Sequence, residues 1–372
     1  MGSGSEPRKI AFLTGSFHFG GTERDLIRYL DNLDRDRYEP VVVVMSDEGP
    51  LRDDVHARAE VMPIHLDGKL FNKQGRRELQ RFARWLRDEK VAVLHLLIDF
   101  ATIWGGIGSL FARHVPVVAT HGCSTFHTTN PVQTLLYLGV LWSVADRVMP
   151  NSHAAGDHLR RYFVPDRKIT VIHNGIPADR FPAEWSPPPT SEDLRICVLG
   201  RVMPVKNINL ALESVAAIHC EGVAARLVVI GSGPEEDRLR ARADELGISD
   251  RVDWMGYVDN PMDAISTCDI CLLSSDSEGF PNTVVEYCAA GRPVVSTNVG
   301  GVREIIENGA NGFLVPARDV VAMTSALRTL AHDQALREKM GRAGRELVEA
   351  SFTATREASQ LMDIYDSVLR SP

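Results

Sequence analysis

Residues 270–297 read ICLLSSDSEGFPNTVVEYCAAGRPVVST, and the stretch holds a whole folding unit. An apolar run of strand length opens it, with Glu278 expected at the end of the strand. Gly279-Phe280-Pro281 makes a turn, and a short helix is expected from about Thr283 to Ala290. Gly291 and Pro293 stop that helix, and the apolar run RPVVST follows at once. A strand, a helix and a second strand without a hairpin turn between them form the repeat of a parallel sheet covered by helices on both faces.

The same alternation extends in both directions. The expected strands of the first half are KIAFL, PVVVVM, AVLHLL, PVVATH, RVMP and KITVIH. Those of the second half are RICVLG, ARLVVIG, VDWMG, ICLLSS, RPVVST and FLVP. Helical spacing lies between them, as in Leu26, Leu30 and Leu33, or Leu210, Val215 and Ile218. The prediction is an α/β protein of two doubly wound, Rossmann-like domains. PADRFPAEWSPPPTSEDL has five prolines and no apolar period, so the linker is placed near 177–193. Domains are expected at 1–180 and 181–352, with a final segment at 353–372. A ligand shared by two such domains would sit in a crevice beyond the carboxyl ends of the strands.

The totals narrow the function. The chain has 372 residues, 24% charged and 44% hydrophobic, with net charge -8 and pI about 5.9. That is the composition of a globular protein and argues against a general nucleic-acid binder, which needs a basic surface. Leu135–Ala145 is the longest apolar stretch and is too short to span a bilayer. Ile10–Leu13 runs straight into a glycine turn, so no secretory signal is read. The opening MGSGS is read as an artificial scar and is left out of the fold. Six scattered cysteines imply no disulfide framework, and Cys268–Cys271 lacks the second pair of a zinc site. A reduced, cytoplasmic setting is expected, in solution or at the inner face of a membrane.

Three loops carry the chemistry. In FHFGGTERDLIRYL, Gly20 and Gly21 allow close approach of a ligand to backbone amides at a helix start. Thr22 with Asp25 has capping-box spacing. In GRVMPVKN, Arg201 and Lys206 stand on a glycine-led loop at a strand end, where an anion such as a diphosphate would arrive. In SEGFPNTVVE, the turn into a helix offers free amides, Glu278 can accept from sugar hydroxyls, and Glu286 can take two ribose hydroxyls. Thr283-Val-Val-Glu286 also fits a capping box, in which case Glu286 would only close the helix start. Asn174-Gly175 is read as a turn.

These motifs resemble those of retaining glycosyltransferases of family 4. Two glutamates with seven residues between them in EGFPNTVVE are similar to the family's donor-site signature. GRVMPVK resembles its pyrophosphate loop, FGGTE its N-terminal glycine loop, and KITVIHNGI its crossing into the second domain. The resemblance runs over roughly residues 9–350 in the right order and implies the GT-B architecture of two facing domains. It implies that the last helix, about 353–369, packs back on the first domain. It gives Arg201 and Lys206 to the donor diphosphate, Glu278 to the transferred sugar and Glu286 to the ribose. Backbone amides of Phe280, Asn282 and Thr283 would touch the sugar or its phosphate, and Val258 would lie by the base. His121 matches the family's histidine near the reacting sugar, although a lone histidine can equally be a satisfied core side chain.

The expected reaction is transfer of a glycosyl unit, with retention, from a nucleoside-diphosphate sugar to a hydroxyl acceptor. A UDP-sugar is favoured and GDP-mannose comes second. The acceptor is a glycan, a lipid-linked molecule or a small molecule. The nucleotide sugar is a co-substrate; no cofactor and no metal are expected. A sugar-nucleotide epimerase or phosphorylase on the same fold is the rival enzyme, and an inactive sugar-nucleotide-binding subunit the rival outside enzymes. GSGPEED at 231–237 lacks the third glycine of a dinucleotide loop, because Glu236 takes its place. Asp34-Arg35-Asp36 has D-x-D spacing but falls in a polar loop after the first helix. The basic stretch 71–90, with Phe82 and Trp85, offers a peripheral contact to an anionic membrane, and an ordinary packed helix accounts for it as well.

Overall fold

The computed structural model describes residues 6–18, 20–64, 72–112, 115–122, 130–182, 185–187 and 193–370. The opening MGSGS and linker residues 183–184 and 188–192 lie outside these. The chain divides into two compact units, Met1–Asn174 with Ala354–Pro372, and Gly175–Thr353. The first division falls six residues before the expected 180/181, and the second falls at 353/354 instead of 352/353.

The first unit alternates β1 (Arg8–Thr14), α1 (Gly21–Asn32), β2 (Tyr38–Val44), α2 (Arg52–His56), β3 (Glu60–Pro63) and α3 (Lys73–Asp88). It continues with β4 (Val93–Leu96), α4 (Asp99–Ser109), β5 (Val117–His121), α5 (Pro131–Ser143), β6 (Arg147–Pro150) and α6 (His153–Arg161). The second unit has β7 (Leu194–Leu199), α7 (Ile208–Cys220), β8 (Ala225–Ile230), α8 (Glu236–Glu245), β9 (Val252–Gly256) and α9 (Met262–Ser266). It ends with β10 (Ile270–Leu273), α10 (Asn282–Ala289), β11 (Val294–Thr297), β12 (Gly312–Val315), α11 (Val320–His332) and α12 (Gln334–Ser351). α13 (Ala354–Arg370) belongs to the first unit.

Both sheets are six-stranded and parallel, in the orders β3-β2-β1-β4-β5-β6 and β12-β11-β10-β7-β8-β9. Counted within its own unit, each sheet has the order 3-2-1-4-5-6, which reverses direction between its first and fourth strands. The two-residue period of a strand splits each core into two layers. Ile10 and Phe12 of β1 join one buried cluster while Ala11 and Leu13 join the other. Ile196 and Val198 of β7 face one layer and Cys197 the opposite one.

One strand expectation needs correction, and one strand was not expected. KITVIH forms no strand, although Thr170 and Ile172 donate their amides to Val148 and Pro150 of β6 at 2.9 and 3.0 Å. The segment borders the sheet and buries Ile172, which accounts for its apolar pattern. The first sheet's remaining strand is EVMP, β3, paired with β2 at the edge. It is half-buried and ends in proline, so no apolar run marks it.

Several local readings also change. Helix α1 starts from Gly20 without a side-chain cap, so Thr22 and Asp25 make no capping box. Asp25 is buried and accepts from Arg28 Nη2 at 2.7 Å, while Arg28 also binds Glu357 of α13. Burial raises the Asp25 carboxyl and outweighs the opposing effect of Arg28. Asn174 is not a turn residue: it is buried and its Nδ2 donates to Asp25 Oδ1 at 3.4 Å. Helix α3 buries Leu79, Phe82, Ala83 and Leu86, and Phe82 packs on Trp104 with ring centroids 5.2 Å apart. Its apolar face is therefore committed to the core, so Phe82 is not offered to a membrane. Cys268 and Cys271 are buried free thiols, and β10 places Cys271 beside Cys197 of β7. Burial pushes the Cys271 thiol up.

Candidate functional site

The reversal point of the second sheet lies between β7 and β10, and the loops leaving those strands meet there. Gly200 follows β7 with φ +146, a conformation that a side chain would strain. The loop passes Arg201, makes one 3-10 turn at Pro204–Lys206 and enters α7 through Asn207 at φ 44 and ψ 48. Asparagine tolerates this left-handed geometry, and its Nδ2 donates to Asp276 Oδ1 at 3.0 Å. Asp276 also accepts from Arg318 at 2.6 Å. The Arg318 hydrogen bond holds the Asp276 carboxyl below its ordinary value, against a smaller opposing effect of burial.

The glycines of GSGPEED have a local purpose. A Cβ on Gly231 would stand 2.0 Å from the Gly200 carbonyl oxygen, and one on Gly233 would stand 2.3 Å from that of Val202. Gly200 and Val202 donate their amides to Ile230 and Ser232 at 3.0 Å each. These glycines let the β8 loop brace the β7 loop from beneath.

Lys206 and Glu278 close the site. Lys206 Nζ donates to Glu278 Oε1 at 2.7 Å, and Ser275 Oγ donates to the same oxygen at 2.6 Å. Ser274 Oγ donates to the Lys206 carbonyl at 2.8 Å. Glu278 stands in the loop five residues past the end of β10, a correction to its expected place on the strand. A cavity of about 10 Å³, lined by Gly200, Arg201, Lys206, Ser274 and Ser275 among others, opens beside the pair. It offers the room of one water molecule, so a larger ligand would rest on the loops. Arg201 is exposed and makes no ion pair with a described residue.

Helix α10 begins at Asn282 with Pro281 as its cap residue, and no side chain caps it. Thr283 is thus inside the first turn, and the capping box proposed for Thr283 and Glu286 is not formed. Glu286 lies one turn further on and is half-buried. Tyr287 anchors the helix, because its hydroxyl accepts from Leu199 N at the end of β7 at 2.6 Å and donates to Leu272 O of β10 at 3.3 Å. Burial pushes the Tyr287 hydroxyl well above its ordinary value. Phe280 is buried, with its ring 5.7 Å from that of Phe352.

Gly300, which the sequence reading did not single out, holds the Glu278 turn in place. Its φ is +52, and a Cβ there would stand 2.0 Å from the Glu278 carbonyl oxygen. Gly301 N–H donates to Gly279 O at 2.8 Å. The VGG triplet was a usable signal, since two adjacent glycines after a strand mark a close backbone approach.

The second unit therefore gathers Arg201, Lys206, Glu278, Asn282 and Thr283 on the loops and helix start at one reversal point. Val258 lies apart from them, after the edge strand β9, with its side chain against the core. The first unit holds the other candidates. Gly20 is extended, a Cβ there would meet only the Glu23 side chain, and the space above Gly21 is open. His121 ends β5, is buried, pairs Nδ1 with the Tyr137 hydroxyl at 2.9 Å and stacks on His158 at 5.9 Å. The D-x-D residues precede β2, with Asp34 Oδ1 accepting from Asp36 N at 3.1 Å. They stand at the amino end of the strands, opposite to the edge where the loops carry chemistry.

Comparison with known proteins agrees with this geometry. Residues 180–347 match the glycosyl transferases group 1 family, and residues 19–180 match glycosyltransferase family 4. The N-acetyl-alpha-D-glucosaminyl L-malate synthase of Bacillus anthracis is 33% identical over 70% of this chain and 70% of its own. The phosphatidyl-myo-inositol mannosyltransferase of Mycobacterium leprae is 28% identical over 96% of both chains. The crystal structure of Anabaena HepE in complex with UDP superposes with a TM-score of 0.84 at 19% identity, covering 96% of this chain and 100% of that one. The fold is thus GT-B, and the chain belongs to glycosyltransferase family 4.

Proposed function

We propose that this glycosyltransferase moves a sugar from a nucleoside-diphosphate donor to a hydroxyl acceptor, with retention and without a divalent metal. A UDP-sugar is the favoured donor and GDP-mannose the second. The observation that carries the reading is the Lys206–Glu278 pair at the β7/β10 reversal point, with Arg201 on the same loop exposed and without an ion-pair partner among the described residues. HepE was crystallised with UDP, which supports a uridine donor here. The mannosyltransferase likeness supports the second choice, and its named acceptor supports a lipid-linked hydroxyl among the acceptor classes.

The residues suggest a sequence of contacts. A diphosphate entering over the Gly200 loop would be gripped by Arg201, whose planar fork suits phosphate oxygens. Lys206 would turn from Glu278 to the phosphate, releasing one Glu278 oxygen to accept a sugar hydroxyl. The uncapped start of α10 presents amides and partial positive charge to the same anion. Glu286, one turn into the same helix, would hold the ribose. Stabilising the departing diphosphate with fixed charges speeds bond cleavage because no reorganisation is needed at that moment.

Nucleotide release from a panel of nucleotide sugars, with and without acceptors, tests the reading. A folded protein that releases no nucleotide diphosphate with any donor–acceptor pair would favour the inactive subunit. Rates should be equal in chelator and in added magnesium or manganese, because Arg201, Lys206 and α10 supply the positive charge. A strict metal requirement restored by the ion would overturn the phosphate assignment.

A further inference from the structure

Helix α5, PVQTLLYLGVLWS, contains no charged residue. Tyr137, Leu138, Val140 and Leu141 are buried on its inner side. At about 3.6 residues per turn, Val132, Leu135, Leu136, Gly139 and Trp142 share the opposite face. Val132 and Leu135 are 63% and 61% exposed, and Leu136 and Trp142 38% each. The water-facing side of a packed helix is ordinarily polar and charged; this one is uncharged and apolar from Val132 to Trp142, with Ser143 at its end turned back on the Gly139 carbonyl.

Phe163 adds to that face. The ring is 86% exposed, and the residue has φ +61. Phe163 N–H donates to Arg160 O and Val164 N–H to Leu159 O, closing α6 in the pattern whose left-handed position is ordinarily glycine. The chain holds a strained backbone in order to place an aromatic ring in water, which marks the position as a functional candidate. Trp142 Nε1 donates to Tyr162 O at 2.9 Å, so the two apolar groups adjoin.

Cations border them. Lys168 Nζ donates to the Trp142 carbonyl at 2.9 Å. Arg161 and Arg167 are exposed and have no ion-pair partner among the described residues. Residues 146–168 hold five Lys/Arg against three Asp, in a chain of net charge -8, and Asp157 and Asp166 are both bound to Arg160.

We propose that the exposed face of α5, with Phe163, docks the first unit on an anionic lipid surface. The thirteen residues of α5 reach about 20 Å, short of a bilayer core of about 30 Å, so the helix would lie in the interface. Among the described residues, no helix is long and apolar enough to cross a membrane. Trp142 and Tyr162 suit the headgroup level, and Arg161, Arg167 and Lys168 would reach lipid phosphates. A second copy is the poorer occupant, because a two-fold contact would bring this cation-rich patch against itself. The surface needs no donor, so vesicle binding and sugar transfer stand or fall separately.

Co-sedimentation with phosphatidylcholine vesicles containing about one-third phosphatidylglycerol tests this, with pure phosphatidylcholine as the comparison. The protein should bind the anionic vesicles at least roughly ten-fold better, and less so as salt rises. Arg161→Gln with Arg167→Gln should cost roughly ten-fold or more. Leu135→Glu should abolish binding with an unchanged melting temperature. Phe163→Gly should weaken binding while the melting temperature holds or rises, since glycine accepts φ +61. Absence of anionic-vesicle binding by the folded protein, or equal binding by all variants, would overturn the proposal. So would a dimer that Leu135→Glu dissolves and that binds no vesicles.

Discussion

The two sheets share one strand order, and in both a glycine from the second strand's loop braces the loop after the first. A Cβ on Gly49 would stand 2.3 Å from the Phe17 carbonyl oxygen, as Gly231 does against Gly200. Beyond that brace the units part. In the second unit the loop is tied at every step, by Asn207 to Asp276, Ser274 to Lys206, Lys206 to Glu278, and Gly300 against Glu278. In the first unit the loop enters α1 through two glycines that the fold does not require, with open space above Gly21. The difference separates a loop built to hold charges in place from one built to leave room. Preorganised charge serves a leaving group, while an open glycine loop serves close backbone approach by a ligand.

The contrast predicts unequal costs. Arg201→Ala or Lys206→Ala should each lower turnover by roughly 100-fold or more. Near-normal turnover in both folded variants would remove the second unit's loop from the chemistry. Gly300→Ala is expected to cost on the order of ten-fold in turnover and to lower the melting temperature, since the Cβ displaces the Glu278 turn. Gly21→Ala should leave the melting temperature unchanged and slow only turnover. Equal stability loss in the two glycine variants would erase the distinction drawn here.

Glu286→Gln should raise the donor KM a few-fold with little change in kcat, because a ribose contact is largely uniform binding. Its melting temperature should hold, given that Pro281 and not Thr283 begins α10. A lower melting temperature with unchanged KM would restore the capping reading.

The units should also differ in acid. His95 is fully buried in the first unit, between the Tyr365 hydroxyl at 2.7 Å and Thr120 Oγ1 at 2.8 Å. Burial lowers its pKa from 6.5 to about 3. The unfolded chain therefore binds a proton that the folded one refuses between those values. The contribution is full above pH 6.5 and is lost as pH falls toward 3, by on the order of 1 kcal/mol per pH unit. Melting from pH 7 to 4 should show a shallower fall for His95→Gln than for the parent protein. Identical slopes would mean that the pH sensitivity lies elsewhere.

Much of this was legible in the residues. All six strands of the second sheet coincide with expected runs, and the inner strands β8, β10 and β11 are buried along nearly their whole length because both faces are covered. The first sheet was harder at its margins. β3 is a half-buried edge strand with no apolar run, while KITVIH has the run and lacks the ladder. Arg201, Lys206 and Glu278 could be picked out because they fall in short glycine-containing loops between an apolar run and a helix, GRVMPVKN and SEGFPNTVVE. Ser275, Tyr287, Asp276 and Gly300 were not, since hydroxyls, a buried tyrosine and a glycine look alike wherever they fall.

By itself the sequence determined two parallel α/β sheets, the family, and the charged residues at the second reversal point. The sheets follow from the period of burial, while the family and the charged residues follow from the resemblance of several motifs along the chain. Tertiary structure decided which groups touch: that Lys206 meets Glu278 across 72 positions, that Gly300 supports the Glu278 carbonyl, and that α10 starts uncapped. It also decided that α3 is a core helix and that α5, not α3, shows an apolar face to water. The physical reason is common to all of these. Hydrogen bonds and burial depend on distances between segments remote in the chain, and a side chain's chemistry names its possible partners without choosing among them.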